Sequence, residues 1–325
     1  MREFLAVARS CIGGVLKGAM RHKNNESPNG DTQSRPVGPA IGGAGVTSQD
    51  YWSNYNVLDN RWMSSSEESL KFFEWRVRQY YDYLEYMPVA GLDGKDVLDY
   101  GCGPGHDLVG IATYSRPNKL IGIDVSKASL EQARHRLGLH GSTAELHQIC
   151  ENDGLPLEDA SIDYVHCSGV LHHVPDPVNV LAEFRRVLRP NGIVRLMVYN
   201  YDSIWFHLFS AYLMRFKSPG YRDWDVREIF RISTDTADCP ISQAWKPSEI
   251  FQLSAVAGFG GRHLGNAVAV RELSILDKRF EAILEVDLEA EHRDFLLALK
   301  FDERGVPLFE GVGAGIDGCY ELRAT

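Results

Sequence analysis

One junction limits what this chain can fold into more than any other stretch: Val97-Leu98-Asp99-Tyr100-Gly101-Cys102-Gly103-Pro104-Gly105-His106-Asp107. A strand-like apolar run breaks into a glycine-rich turn, and a helix-forming pattern resumes at once with Leu108, Val109, Gly110, Ile111 and Ala112. Glycine lets the backbone approach a ligand closely, and a helix start offers N–H groups that have no intrahelical partner. A strand that hands over to a helix in this way is how open α/β sheets hold nucleotide-like ligands. Asp124 closes the next strand-like run, Leu120-Ile121-Gly122-Ile123. A carboxylate there suits a ribose with two free hydroxyls, because it accepts both hydrogen bonds. The junction reads as a site for an adenosine-containing cofactor.

The dinucleotide fingerprint Gly-x-Gly-x-x-Gly needs a third glycine at position 106, which is His106. The turn is instead Gly-x-Gly-x-Gly, with Asp99 two residues ahead of it. S-adenosylmethionine has no pyrophosphate to cradle; it presents an amino-acid end and a sulfonium, which suit carboxylates and backbone carbonyls. The segment resembles motif I of the class I S-adenosylmethionine-dependent methyltransferases. Residues 121–125 resemble that family's acidic second motif. Further matches follow in the family's order: Asp153-Gly154-Leu155-Pro156-Leu157-Glu158-Asp159, then Ser168-Gly169-Val170-Leu171-His172-His173-Val174-Pro175, then Val187-Leu188-Arg189-Pro190-Asn191-Gly192. Together they span residues 95–200, and the nearest likeness is to the methyltransferase type 11, UbiE-like small-molecule enzymes.

That resemblance implies a Rossmann-like, seven-stranded, mostly parallel sheet with helices on both faces, a helical N-terminal cap and a C-terminal insertion. It implies S-adenosyl-L-methionine as cofactor, held by Asp99, Gly101, Cys102, Gly103, Gly105, Asp124, Val125 and Ser168. Arg76 is the candidate for the methionine carboxylate, with a helix-packing role as its alternative. The acidic residue at the adenine edge is Glu151 or Asp153, beside Gly154.

The chain divides into four segments. Residues 1–48 read as a flexible tail and linker, rich in Asn, Ser, Pro and Gly from residue 24. Its start mixes Arg2, Arg9, Lys17 and Arg21 with Phe4, Leu5, Ile12 and Leu16, a pattern open to peripheral membrane contact or to a plain tail. Arg9 interrupts any secretory apolar core. Residues 49–94 form an aromatic helical cap, with one helix expected over 66–86 from Leu70, Phe73, Val77 and Tyr81. Residues 95–200 are the cofactor-binding core. Strands are expected at 96–100, 120–124, 144–149, 162–167 and 193–199, with helices capped by Ser126 and by Asp176-Pro177. Alternation of this kind gives a parallel sheet. Residues 201–325 are a substrate lid or insertion: a helix at 201–216, a loop at 235–245, a helix at 246–258, and a closing antiparallel pair of strands at 262–270 and 319–323.

A net charge of −10 disfavours nucleic acid as partner. The six cysteines are scattered and never spaced C-x-x-C, which argues against a zinc site or disulfide framework and for a reducing, cytoplasmic setting. No metal is expected. Methyl transfer from a sulfonium is an in-line displacement that gains mostly from alignment. An oxygen acceptor also needs its proton removed, and histidine titrates in the right range. His172 and His173 lie on the loop at a strand's carboxyl edge, and one of them, His173 preferred, is the candidate base or substrate positioner; the alternative is that both only shape the pocket. Family members often carry an acid near the end of the fifth strand, where this chain has Tyr199-Asn200-Tyr201-Asp202. Tyr51, Trp52 and Tyr55 with helix 201–216 suit an apolar or carbohydrate-faced acceptor, a homodimer interface, or plain core. The leading expectation is methyl transfer to a small-molecule hydroxyl on a saccharide, lipid-linked or secondary-metabolite acceptor. RNA or protein methylation, a non-catalytic cofactor-binding regulator and a nicotinamide oxidoreductase are the alternatives.

Overall fold

Helix α1 (Ser48–Asn54) and helix α2 (Ser66–Val77) lead into the sheet. The structure, a computed structural model, describes residues 47–54, 62–150 and 153–325. The expected tail (apart from Thr47 and Ser48), Tyr55 and Glu151 lie outside the described residues. Ser65 caps α2, its hydroxyl accepting from the Glu68 N–H at 3.2 Å, and Phe73 and Val77 bury one face. The single helix expected over 66–86 is corrected: α2 ends at Val77, and Tyr80–Tyr81 pairs as strand β1. Tyrosines favour a pleated, half-buried surface. The chain then turns at Asp82, in the left-handed region (φ 64°), where Arg304 grips its carboxylate with two bonds of 2.7 Å. A short helix α3 (Tyr83–Tyr86) follows.

The core alternates as expected: β2 (Asp96–Tyr100), α4 (His106–Tyr114), β3 (Lys119–Asp124), α5 (Lys127–Leu139), β4 (Glu145–Gln148), β5 (Ile162–Ser168), α6 (Pro177–Val187) and β6 (Leu188–Tyr199). Ser126 caps α5 through the Ser129 N–H (3.2 Å), and Asp176 caps α6 through the Asn179 N–H (3.0 Å). β2 is buried along its whole length, as a central parallel strand must be. β6 starts earlier than the strand expected at 193–199. Asn191 takes φ 72° inside it, and the register with β5 shifts between Ile162 and Tyr164, so Pro190-Asn191-Gly192 is absorbed as an irregularity of the strand.

Beyond β6, the helix expected at 201–216 begins only at Trp205, because Asn200 and Tyr201 bond sideways to the Ile316 and Trp245 carbonyls. Trp205–Met214 is wound as a π-helix, and Ser210 donates to the carbonyl five residues back (3.1 Å). It is mostly apolar and largely buried, with His207 and Ser210 as its polar members. Helices α7 (Val226–Thr234) and α8 (Pro247–Val256) precede strand β7 (Phe259–Ala269). Short helices follow, then a small antiparallel sheet of β8 (Lys300–Phe301), β9 (Pro307–Phe309) and β10 (Val312–Gly313), and the closing strand β11 (Asp317–Ala324).

The large sheet runs β1-β7-β11-β6-β5-β2-β3-β4. It has eight strands where seven were expected; the addition is β1, which pairs antiparallel with β7 at the edge. β2 through β6 are parallel, and β11 is antiparallel to β6 and β7. The chain steps outward from β2 to β4 and then returns to place β5 beside β2. That reversal is the topological switch point, where α/β sheets open a crevice beyond the carboxyl ends of their strands. Among the described residues no helix is long and apolar enough to cross a membrane.

Buried Glu272 ties the C-terminal insertion to the sheet. Its carboxylate accepts from the N–H groups of Trp205 (3.0 Å), Ala269 (2.8 Å) and Ile316 (3.1 Å). Truncation strands three buried donors, each costly to leave unpaired. Glu272→Ala should therefore lower the unfolding free energy by at least about 2 kcal/mol in urea titrations. A loss below about 0.5 kcal/mol, the range of ordinary surface changes, would contradict this reading.

Candidate functional site

The glycine turn leaves β2 with Gly101 at φ 70° and Gly103 at φ 51°. The N–H groups of Gly101 and Cys102 both donate to the Ile123 carbonyl (2.7 and 3.0 Å), which pins the turn to β3. A Cβ on Gly101 would lie 2.3 Å from a Val170 methyl, so only glycine lets the β5 loop close against the turn. At Gly103 the space a Cβ would enter holds nothing within 4 Å, because that position faces a cavity of about 260 Å³. Asp124 sits across from it. One carboxylate oxygen accepts from the Gly103 N–H and the other from the Ser126 N–H, both at 2.8 Å. Each oxygen keeps a second acceptor site, the pair a vicinal diol requires. Burial raises the Asp124 carboxyl, and these backbone donors oppose that shift.

Of the residues picked out by sequence, Arg76, Gly101, Cys102, Gly103, Asp124, Val125, Ser168 and His173 line this one cavity. The others do not. Gly105 opens α4 and packs against Ala133, where an added Cβ would come within 2.9 Å. Asp153 accepts from the Cys150 N–H (3.0 Å), and Gly154 faces the Glu183 carboxylate. Asp99 lies beneath the turn, 2% exposed, in a buried charge network rather than at the cavity wall. Burial pushes its carboxyl up to about 7, although His166 pulls the other way. In the same network Arg76 reaches from α2 to Asp107 (2.7 Å), and His166 lies 3.5 Å from the second Asp107 oxygen. Burial works against the Asp107 carboxylate, yet Arg76 and His166 hold it well below the usual carboxylate range.

Part of the cavity wall is aromatic, formed by Trp52, His173 and Tyr199. Trp52 lies 4.7 Å from the His173 ring. His173 donates from Nδ1 to the Ile241 carbonyl at 2.7 Å, which leaves Nε2 as the lone-pair nitrogen, 3.6 Å from an Asp235 oxygen. His172 is set back, fully buried between His173 (4.1 Å) and Tyr199 (3.8 Å), with neither nitrogen hydrogen-bonded. Burial holds it well below the ordinary histidine value, so it is neutral packing. Asn200 likewise faces away, donating to the Asp202 and Gly315 carbonyls.

Sequence reasoning missed Asp317. It is the first residue of β11, pairs across from Tyr199, and lines the cavity. The acid sought near the end of the fifth strand thus comes from the neighbouring strand, far along the chain. Tyr83, bonded to Ser168 at 2.5 Å, and Asp235 were also missed. No local motif marks any of the three.

The switch point, the glycine turn and the diol-accepting carboxylate define a Rossmann-like domain for an adenosine ligand. Residues 92–211 match the family described as a methyltransferase domain. An uncharacterized 37.1 kDa protein in transposon TN4556 of Streptomyces fradiae is 46% identical over 113 residues, 34% of this chain and 32% of that protein. A ubiquinone biosynthesis O-methyltransferase of Alkalilimnicola ehrlichii is 34% identical over 147 residues, 43% of this chain and 58% of the relative. The YcgJ protein from Bacillus subtilis superposes with a TM-score of 0.47 at 17% identity, covering 73% of this chain and 94% of that one. The chain thus spans under two thirds of the length of these sequence relatives. The match is confined to residues 92–211, and over that stretch the chain resembles a methyltransferase domain.

Burial also pushes the Asp317 carboxyl up to about 7, with Arg76 drawing it down, against an ordinary value of 3.8. Between those limits the folded chain holds a proton that the unfolded chain releases. Stability therefore falls as pH rises through this window, by at most about 1.4 kcal/mol per pH unit from this group. Asp317→Asn should flatten that part of the profile in urea titrations run across the window. A profile parallel to that of the parent chain would contradict the assignment.

Proposed function

We propose that the chain transfers a methyl group from S-adenosylmethionine to a hydroxyl of a small-molecule acceptor. The observation that carries this reading is one continuous cavity lined by Gly103 and Asp124 and also by Trp52, His173 and Tyr199. The residues suit the donor: open space at Gly103, a carboxylate with two spare acceptor sites at Asp124, and Arg76 at the wall. When bound, the donor supplies a methyl on a sulfonium, an electrophile with a good leaving group. The protein's task is then alignment and exclusion of water. Trp52 and Tyr199 give the acceptor flat apolar faces, which suits a ring or a carbohydrate. The acceptor hydroxyl loses its proton at the His173–Asp235 corner as attack proceeds. Burial lowers the His173 basicity and Asp235 restores part of it, so the ring is neutral and able to act there at physiological pH. A ubiquinone-type O-methyltransferase relative supports an oxygen acceptor.

Calorimetry should show S-adenosylmethionine affinity reduced at least about tenfold by Asp124→Ala, from the lost charged hydrogen bonds. Gly103→Arg should abolish binding by filling the cradle. Full affinity in both variants would sink the donor assignment. His173→Ala should reduce kcat by about 10²-fold or more while leaving donor affinity nearly unchanged. Weakened donor binding with unaltered turnover would instead make His173 a wall of the donor pocket.

A further inference from the structure

Beside the aromatic part of the cavity wall, three electron-pair donors converge: a His173 ring nitrogen, an Asp235 carboxylate oxygen and Cys239 Sγ, all within 4.8 Å of one another. Two come from the loop after α7, with three residues between them, and the third from the loop after β5. The His173 tautomer is set by its Nδ1 bond to the Ile241 carbonyl (2.7 Å), so Nε2 presents a lone pair. The Asp235 oxygen Oδ1 lies 3.6 Å from it; the side chain is 0% exposed and this oxygen has no hydrogen-bond partner. Its other oxygen accepts from the Thr234 hydroxyl at 2.9 Å. Two facing donors of this kind repel unless a cation lies between them, and a buried unpaired carboxylate oxygen is costly. Cys239 is 0% exposed, and its thiol donates to the Ile241 carbonyl at 3.3 Å.

We propose that His173, Asp235 and Cys239 bind a divalent cation of the zinc class. Imidazole, carboxylate and thiolate together suit a borderline-soft ion, whereas calcium and magnesium take oxygen donors. The charges balance: one carboxylate and one thiolate neutralise the dication in a dry site. On binding, the Cys239 thiol releases its proton to solvent and forms the metal–sulfur bond. The Ile241 carbonyl loses that thiol bond and keeps the His173 Nδ1–H, the outer-shell contact that orients ligating histidines. Arg231 donates to the Ala237 and Cys239 carbonyls and so holds the loop around the cysteine without entering the donor cluster. Three protein donors with one position left is the ligand count of a reactive zinc site, whereas structural sites are closed by four. His173 is the donor at the cavity wall, so an oxygen in the cavity is the nearest candidate for the fourth position. This part rests on the proposed methyl transfer: an acceptor hydroxyl on the cation would lose its proton to solvent, so that with the cation bound His173 would serve as a ligand in place of a base.

The test uses the full chain, stripped of metal with a chelator, dialysed and titrated with cobalt(II) in the absence of donor and acceptor. One cobalt per chain should bind, with thiolate-to-cobalt charge-transfer absorption. Cys239→Ser should lose that absorption while keeping its near-ultraviolet circular dichroism. Asp235→Asn and His173→Ala should weaken binding by more than about tenfold. No stoichiometric binding, or binding that survives all three substitutions unchanged, would overturn the site and leave a proton shared by His173 and Asp235 in its place. S-adenosylhomocysteine affinity measured on the same samples separates the two readings. Cobalt binding without nucleoside binding would refute the donor assignment and leave the metal site standing.

Discussion

The buried ion pair between Arg76 and Asp107, 2.7 Å long, is the contact on which the site depends. Arg76 comes from the last turn of α2 in the cap, and Asp107 from the first turn of α4, where a negative charge also meets the positive end of the helix dipole. His166 from β5 completes the group on the other Asp107 oxygen, and Asp99 from β2 lies beside it. The cap, α4 and two central strands are thus joined at the wall of the cavity. Removing one partner from a buried pair leaves an uncompensated charge, which costs about 3–5 kcal/mol. The cap is therefore part of the site's foundation as well as its cover.

The cavity wall combines two chemically distinct sets of residues. At the switch point the glycine turn is pinned to β3, and the Asp124 carboxylate is oriented by two N–H donors. Elsewhere on the wall, aromatic faces lie beside a histidine that is held by a carbonyl from the 235–245 loop. The first set is built by adjacent strands. The second is assembled from α1, the β5 loop, the loop after α7 and β11, which are far apart in sequence.

That contrast explains how much was legible in the sequence. The strand–turn–helix junction, Ser126, Asp176-Pro177 and the alternation of β2 to β6 are local signals, and the structure follows them within a few residues. Gly101 and Gly103 line the cavity as the local turn suggested, whereas Gly105 and Gly154 pack against Ala133 and Glu183, contacts that only the tertiary fold makes. Asp99 misled: an acid two residues before a glycine turn reads as a ligand, yet strand alternation turns it toward Arg76, Asp107 and His166. Residues 66–86 misled in another way, since the aromatic spacing continues past Val77 while sheet-edge pairing with β7 takes Tyr80–Tyr81. Asp317 and Asp235 carried no signal at all. Their placement beside His173 and Tyr199 depends on the antiparallel return of β11 and the packing of α7, which only the tertiary fold specifies. The same applies to Cys239, whose spacing matches no metal-binding motif and whose neighbours arrive from another loop.

The central claim is that the donor lies across the switch point with its reactive end toward His173. A crystal structure of the chain with S-adenosylhomocysteine tests it most directly. The account predicts both ribose hydroxyls on the Asp124 carboxylate, the nucleoside against Gly103, and the thioether sulfur directed along the cavity toward His173 and Trp52. A ligand bound elsewhere, or one whose sulfur points away from His173 with Asp124 unengaged, would contradict it.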